Sequence, residues 1–308
     1  MKSSNIGGQA VLEGIMMKNG DQYAVAVRKP DGEIEVNKSR YKSNPKMEKV
    51  KKIPFVRGGF NFIDSLLLGM KTLSFSASFY EEEDKTTTLS KAEAEKQKKK
   101  EDAIMAVVMV CSVILAMGLF MVLPYLISNL FAKVIPSRMI RMILEAVVRL
   151  GLFVAYIVGI TFMEDIKRTF MYHGAEHKCI NCIENGWELN VENIRKSSKE
   201  HKRCGTSFLF FVVMVSIIVC FFITTESPVL RIVIRIALLP VIAGISYELI
   251  RLAGSSDNPV VNLLSKPGMM LQHLTTKEPT DDMIEVAIRA VEEVFDWKAY
   301  LEENFGEK

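Results

Sequence analysis

Apolar residues in this chain gather into a few long runs set apart by polar intervals. Four runs, Ala103–Phe131, Met139–Met163, Ser207–Thr225 and Val229–Leu252, are each long enough to cross a hydrocarbon core of roughly 30 Å at 1.5 Å per residue. The first and third carry no charge, so a helix built from either is apolar on every face, as a buried or membrane helix is. The second and fourth are marked by charges at helical spacing. Arg141, Glu145 and Arg149 recur every fourth residue, and Arg231 and Arg235 repeat the interval. Such residues share one helical face and predict an ion-paired ladder turned into a helix bundle, with arginines near a helix end reaching outward.

The shorter patterns predict what flanks these spans. Gln9–Met17 and Gln22–Lys29 alternate in part around the turn Lys18-Asn19-Gly20-Asp21, and Glu33–Val36 alternates after Pro30-Asp31-Gly32. This predicts a small β unit within residues 1–52, with Gly7-Gly8 marking a positive φ or a close approach. Over residues 53–102, Phe60, Phe62, Ile63, Leu66, Leu67, Met70 and Leu73 make one helical stripe. It predicts an amphipathic helix on a membrane or against the bundle, and the charged stretch Glu81–Asp102 follows as a solvated linker or an extension of the first span. Residues 103–252 form the predicted transmembrane domain, interrupted by the polar loop 164–206. In residues 253–308 the sequence through Pro259 breaks the helix, 260–279 read as irregular, and Thr280 is placed to cap a final helix with Ile284, Ala287, Val291, Val294 and Leu301 on one face.

Charge sets the expected orientation. Lysine and arginine collect before the first span and in the 164–206 loop, which predicts that both termini and this loop face the cytoplasm. No apolar signal segment follows Lys2, and cytoplasmic thiols are expected to stay reduced. The net charge of +3, mixed in sign along the chain, does not point to a nucleic-acid partner. The expected partners are the lipid bilayer and other membrane proteins.

Candidate chemistry is concentrated between Tyr172 and Thr206, which hold three of the four histidines and three of the five cysteines. His173 and His177 lie four residues apart, so a helix carries both on one face, and Glu176 between them completes an H-x-x-E-H string. That is the inverted zincin pattern, in which the glutamate is the base that activates water. Gly174 weakens a helix by about 1 kcal/mol, so a bent turn is the alternative to a straight one. His201 and Cys204 complete a His₃Cys set suited to Zn²⁺. Cys179-x₂-Cys182 with His201-x₂-Cys204 is a competing set, spaced as in a closed structural zinc ribbon. An inverted zincin also needs a downstream carboxylate ligand; Glu248 is the candidate, and an ion pair with Arg251 is its plainer role.

Four blocks of this sequence resemble the bacterial YqhQ-like membrane proteins, a domain-of-unknown-function family labelled as a predicted metal-dependent enzyme. They are Gly7–Met17, Tyr172–Lys178, His201–Thr206 and the stretch from Pro267-Gly268 to Leu274–Pro279. The resemblance implies a polytopic bacterial inner-membrane protein with a metal site. The family pattern lacks the Cys179/Cys182 pair and often has proline where Lys202 stands, which favours the histidine set. It also implies that residues 7–17 pack near that site, with Glu13 supporting a ligand from outside the coordination sphere.

The expected architecture is therefore mainly α: a polytopic helical membrane protein of about four spans, with a cytoplasmic cap containing a small N-terminal β unit. Two functions follow from the predicted zinc site. One is a scaffold or accessory factor for membrane proteins, its metal closed off by four ligands. The other is a metal-dependent hydrolase at the membrane surface, such as a peptidase, with an open coordination position and Glu176 as its catalytic group.

Overall fold

The structure is a computed structural model that describes residues 2–41, 53–80, 91–225, 227–256 and 258–306. The first half of the predicted charged linker, with Glu226 and Asp257, lies outside the described residues. Four strands, β1 (Ile6–Val11), β2 (Gly14–Asn19), β3 (Gln22–Arg28) and β4 (Ile34–Arg40), form an antiparallel sheet in sequence order. The predicted first strand is in fact two. The chain folds back at Leu12-Glu13, with Glu13 at φ 48° and the Arg28 amide donating 2.9 Å to its carbonyl. The turns at Gly20 and Gly32 have the positive φ that glycine permits, at 61° and 88°.

The helices are α1 (Val56–Ala77), α2 (Lys91–Met117), α3 (Leu123–Leu130), α4 (Arg138–Ile160), α5 (Glu164–Glu184), α6 (Val191–Lys196), α7 (Gly205–Phe221), α8 (Pro228–Ala237), α9 (Leu239–Ser255), α10 (Pro259–Thr275), α11 (Asp281–Val294) and α12 (Trp297–Phe305). A π-helical turn, Gly118–Val122, joins α2 to α3. They divide, with the sheet, into two compact units: residues 1–80, 157–216 and 239–308 in one, and 81–156 with 217–238 in the other.

In the first unit the sheet is covered on both faces, which is why its central strands alternate only in part. Ile15, Met17, Ala24 and Ala26 pack against Tyr172, Ala175 and Cys179 of α5 and against Met283, Ile284, Ala287 and Val291 of α11. Met16, Tyr23, Val25 and Val27 meet Leu68, with Phe75 and Phe79 at the margin. Helix α1 differs from its predicted stripe. Its packed positions include Leu68, Gly69, Thr72 and Ser76, while Phe62, Ile63, Leu66, Leu67 and Leu73 are exposed. Small residues let the backbone approach, as at Gly69 beside the Gln9 side chain and Gly58 beside Gly244 of α9. The predicted irregular stretch 260–279 is largely α10, which accommodates Pro267 and is capped by the Asn258 side chain accepting from the Val260 amide at 2.9 Å. The C-terminal helix breaks after Val294 into α11 and α12. Thr280 occupies the N-cap position of α11 without a side-chain hydrogen bond, and the apolar face of α11 is buried in the chain's own core.

In the second unit the lysine-rich residues 91–100 are helical and continue into the apolar part of α2. Two stretches, Ala103–Lys133 and Arg138–Ile160, are long and apolar enough to cross a membrane, or three if α8 and α9, bent by 44°, count as one. Helix α7 is apolar but spans 17 residues. The predicted charge ladder forms only in part: Glu145 pairs with Arg149 and Arg235, both at 2.7 Å, while Arg141 turns to the carbonyls of Ile135 and Pro136.

Candidate metal centre

Helix α5 runs unbroken through Gly174, so the i,i+4 spacing places His173 and His177 side by side with ring centroids 4.4 Å apart. Gly174 does not bend the helix. A Cβ there would collide with the Lys277 carbonyl oxygen, so its bare backbone admits the segment after α10, where the Lys277 amide donates to Phe170 O at 2.9 Å. That segment in turn supplies the first partner of the site. His173 Nδ1 lies 2.9 Å from the Thr275 carbonyl, and His177 Nδ1 lies 2.7 Å from the Lys199 carbonyl. A carbonyl only accepts, so both Nδ1 atoms carry the proton and donate. In the neutral rings this leaves the Nε2 lone pairs for a ligand.

Those nitrogens face Cys204. Its Sγ is 3.3 Å from His173 Nε2, and ligand atoms of His173, His177 and Cys204 all lie within 4.8 Å of one another. Two imidazoles and a thiolate are a donor set that fits zinc. Burial disfavours a charged Cys204, but His173 and His177 outweigh it and lower the thiol well below its ordinary range. His173 likewise resists charging through burial, yet the Cys204 sulfur raises it to about 9. The thiolate thus draws positive charge towards itself.

Glu176 projects beside this trio and is 5% exposed. Burial raises its pKa, partly offset by His173 and His177. Its Oε2 has no hydrogen-bond partner among the described residues. Strand β1 lies directly over it: a Cβ on Gly8 would stand 2.9 Å from the Glu176 Cδ and 2.8 Å from Met17 Sδ. Gly8 of the Gly7-Gly8 pair therefore serves close approach, and neither glycine has a positive φ.

The other sequence candidates lie elsewhere. His201 is near, with its ring 5.7 Å from that of His177, but both its nitrogens are occupied. Nδ1 accepts from the Arg203 amide at 3.4 Å, and Nε2 faces Glu184 at 3.5 Å. Cys179 and Cys182 are buried in the core, where burial raises both thiols, Cys182 to about 11; Cys182 Sγ points to the Glu188 carbonyl. Glu248 binds Arg57 through both carboxylate oxygens, at 2.5 and 2.7 Å, and not Arg251. Glu13 pairs with Arg168 and accepts from the Tyr172 hydroxyl at 3.3 Å.

Three residues that hold the loop were not singled out by sequence. Glu184 is almost fully buried; burial would raise its pKa, yet His201, Arg203 and the Ser4 amide lower it to about 2. Gln272 of α10 clamps His201, accepting from its amide at 2.9 Å and donating to its carbonyl at 2.8 Å. Asn181 donates to the carbonyls of Ser198 and Glu200 at 2.7 and 2.9 Å. The one sequence signal for them is polarity at positions otherwise facing the core.

A family model described as "Protein of unknown function (DUF1385)" matches residues 53–297. The chain is 38% identical over 302 residues to "Uncharacterized protein YqhQ" of Bacillus subtilis (strain 168), covering 97% of this chain and 94% of that protein. No solved structure matches. With one match spanning most of the chain and the other nearly all of it, the chain belongs to the YqhQ-like family of proteins of unknown function, DUF1385.

Proposed function

We propose that the protein is a membrane-anchored, metal-dependent hydrolase whose divalent ion, zinc by the nature of the donors, is held by His173, His177 and Cys204. One observation carries this reading. Both histidines are locked by backbone carbonyls into orientations that turn Nε2 towards one thiol, while the adjacent Glu176 carboxylate keeps an unpartnered oxygen. A zinc ion, when bound, supplies Lewis acidity that acidifies water and polarises a carbonyl or phosphoryl oxygen. With His201 held by Glu184 and Arg203, His173, His177 and Cys204 are the three residues that would hold the ion, and a three-ligand zinc site would admit a water. Glu176 Oε2 is then the proton acceptor, and its raised pKa brings it closer to the range useful for general-base work near neutrality.

A scaffold role for a structural metal has its own support. The three ligands are buried or half-buried, and their supporting carbonyls come from separate segments, so an ion here would staple α5 to the 197–204 loop and the end of α10. Metal analysis and one substitution separate the readings. His173→Ala, His177→Ala or Cys204→Ser is expected to lower bound zinc in the purified protein by at least about tenfold, while Cys179→Ser/Cys182→Ser leaves it intact. Glu176→Gln is expected to retain zinc and fail to restore the phenotype of a deletion strain. Full restoration by zinc-replete Glu176→Gln would reject hydrolysis in favour of the scaffold.

The reading also includes four membrane crossings with residues 2–80, 164–206 and 259–306 on the cytoplasmic side. The lysine and arginine distribution supports that side. Parity supports the count. Because the sheet, α5 and α11 share one core, the chain must cross an even number of times between residues 80 and 164, and again between 206 and 259. The two long apolar helices satisfy the first interval. In the second, the bent α8–α9 pair crosses only if α7 crosses as well.

A further inference from the structure

The second unit holds a cavity of about 370 Å³ among α3, α4, α8 and the end of α7, and four arginines line it: Arg138, Arg141, Arg231 and Arg235. Glu145 is the sole carboxylate in the lining among the described residues, and it is already committed. Its oxygens take Arg235 at 2.7 and 2.9 Å and also Arg149 at 2.7 Å. Among the described residues the hydrogen bonds of Arg138, Arg141 and Arg231 go to carbonyl oxygens of the turns between helices: Ile223 at 2.7 Å, Ile135 and Pro136 at 2.7 and 3.0 Å, and Thr225 at 2.6 Å. Carbonyl dipoles orient a guanidinium but do not cancel its charge. Arg231 and Arg235 both lie over the Tyr125 ring, at 5.3 and 5.2 Å, and the Nε of each is buried without a hydrogen-bond partner among the described residues. Arg235 is 4% exposed.

Arg235 is buried, Arg141 and Arg231 are half-buried and Arg138 is exposed; guanidinium groups gathered beyond their counter-ions on apolar helices are costly and mark sites that engage a ligand. We infer that this cavity binds a phosphate group. Guanidinium forks match the paired oxygens of a phosphate, and several converging on one space hold a tetrahedral anion better than a planar carboxylate. The volume admits a phosphate with its substituent. Large apolar side chains on the same helices, including Leu126, Leu130 and Ile140, are exposed, so the group can arrive free or on an anionic phospholipid.

The test uses the full chain purified in a neutral detergent. Binding of radiolabelled inorganic phosphate is measured against chloride, and thermal unfolding is followed in nanodiscs of phosphatidylcholine with and without phosphatidylglycerol. Wild type is expected to gain thermal stability from one of the two sources. Response to inorganic phosphate identifies a soluble anion site, and response to phosphatidylglycerol alone identifies a headgroup site. Arg141→Gln and Arg231→Gln are each expected to weaken that response by about tenfold. Both variants should also be at least as stable as wild type in the neutral detergent without added phosphate, because each removes a cation lacking a carboxylate partner among the described residues. An arginine that merely ties turns together would instead be destabilising to lose. A folded wild type that responds to neither source, or variants that respond as wild type does, would overturn the assignment.

Discussion

At the scale of single residues, the site is set by which atom of each side chain is already spoken for. His173 and His177 offer Nε2 because their Nδ1 protons are bound, whereas His201 offers neither nitrogen. Glu184 controls that difference, and its charge state gives a pH prediction. Its ordinary value is 4.5 and its folded value about 2, so its contribution to stability is present above pH 4.5 and is lost as pH falls from 4.5 towards 2. Glu184→Gln is expected to lower the melting temperature at neutral pH and to flatten the acid limb of the stability profile, read by thermal unfolding from pH 2 to 7. An unchanged acid limb would remove Glu184 from this role. The histidine pair was legible in the sequence because a fixed four-residue spacing on one helix needs no tertiary information. Cys204 was legible only as one member of a crowded polar interval. Glu184 was not, because Ser4 and Arg203, which define it, converge only in the fold.

At the scale of elements, α5 is the part on which the others are placed. One face carries the histidines, and another packs on the sheet and α11. Gly174 is the point where a third segment reaches it. Gly174→Ala is expected to cost about 1–3 kcal/mol by forcing the Lys277 carbonyl away, and to weaken zinc binding although no ligand changes, because His173 then loses its Thr275 partner. Zinc titration alongside thermal unfolding checks both effects, and unaltered affinity would show that the Thr275 contact does not position the ligand. Gly8→Val should act from the opposite side by driving β1 off Glu176; here the loss of function should accompany retained zinc. Elements were read well where periodicity is local, as in the hairpin at Gly20, whereas the interval read as a polar loop from residue 164 opens with α5. They were misread where context overrides it. In α1 the bulky stripe is not the packed face, since glycine, threonine and serine permit the tighter approach. Residues 260–279 read as irregular in the sequence, but α10 runs through Pro267.

At the scale of the molecule, the chain is interleaved. The unit that holds the His173, His177 and Cys204 cluster takes in residues 1–80, 157–216 and 239–308, and the other unit is inserted within it in two pieces. Single reporter cysteines at Asp21, Glu188 and Glu302, in a background freed of native cysteines, are therefore expected to share one sidedness towards an impermeant reagent in intact cells. Protection of all three gives the cytoplasmic orientation, and a mixture would refute the parity on which four crossings rest. The composition of the spans was visible in the sequence, whereas their number was not, because length and hydropathy cannot tell a bent pair from one helix.

The same interleaving has a consequence for biosynthesis. β1 emerges from the ribosome first, yet one face of the sheet it opens is covered by α5 and α11, and the carbonyl that sets His173 belongs to Thr275. Thr275 and α11 follow α9 in the sequence. The face that takes α11 must wait through the synthesis of the intervening helices, although α1, which packs on the other face, follows the sheet directly; exposed apolar surface in that period invites chaperones and proteases. A chain stalled after α9 would have both histidines and Cys204 but no Thr275 to orient His173 and no Gln272 to hold His201. Competence of the site thus requires synthesis through Thr275.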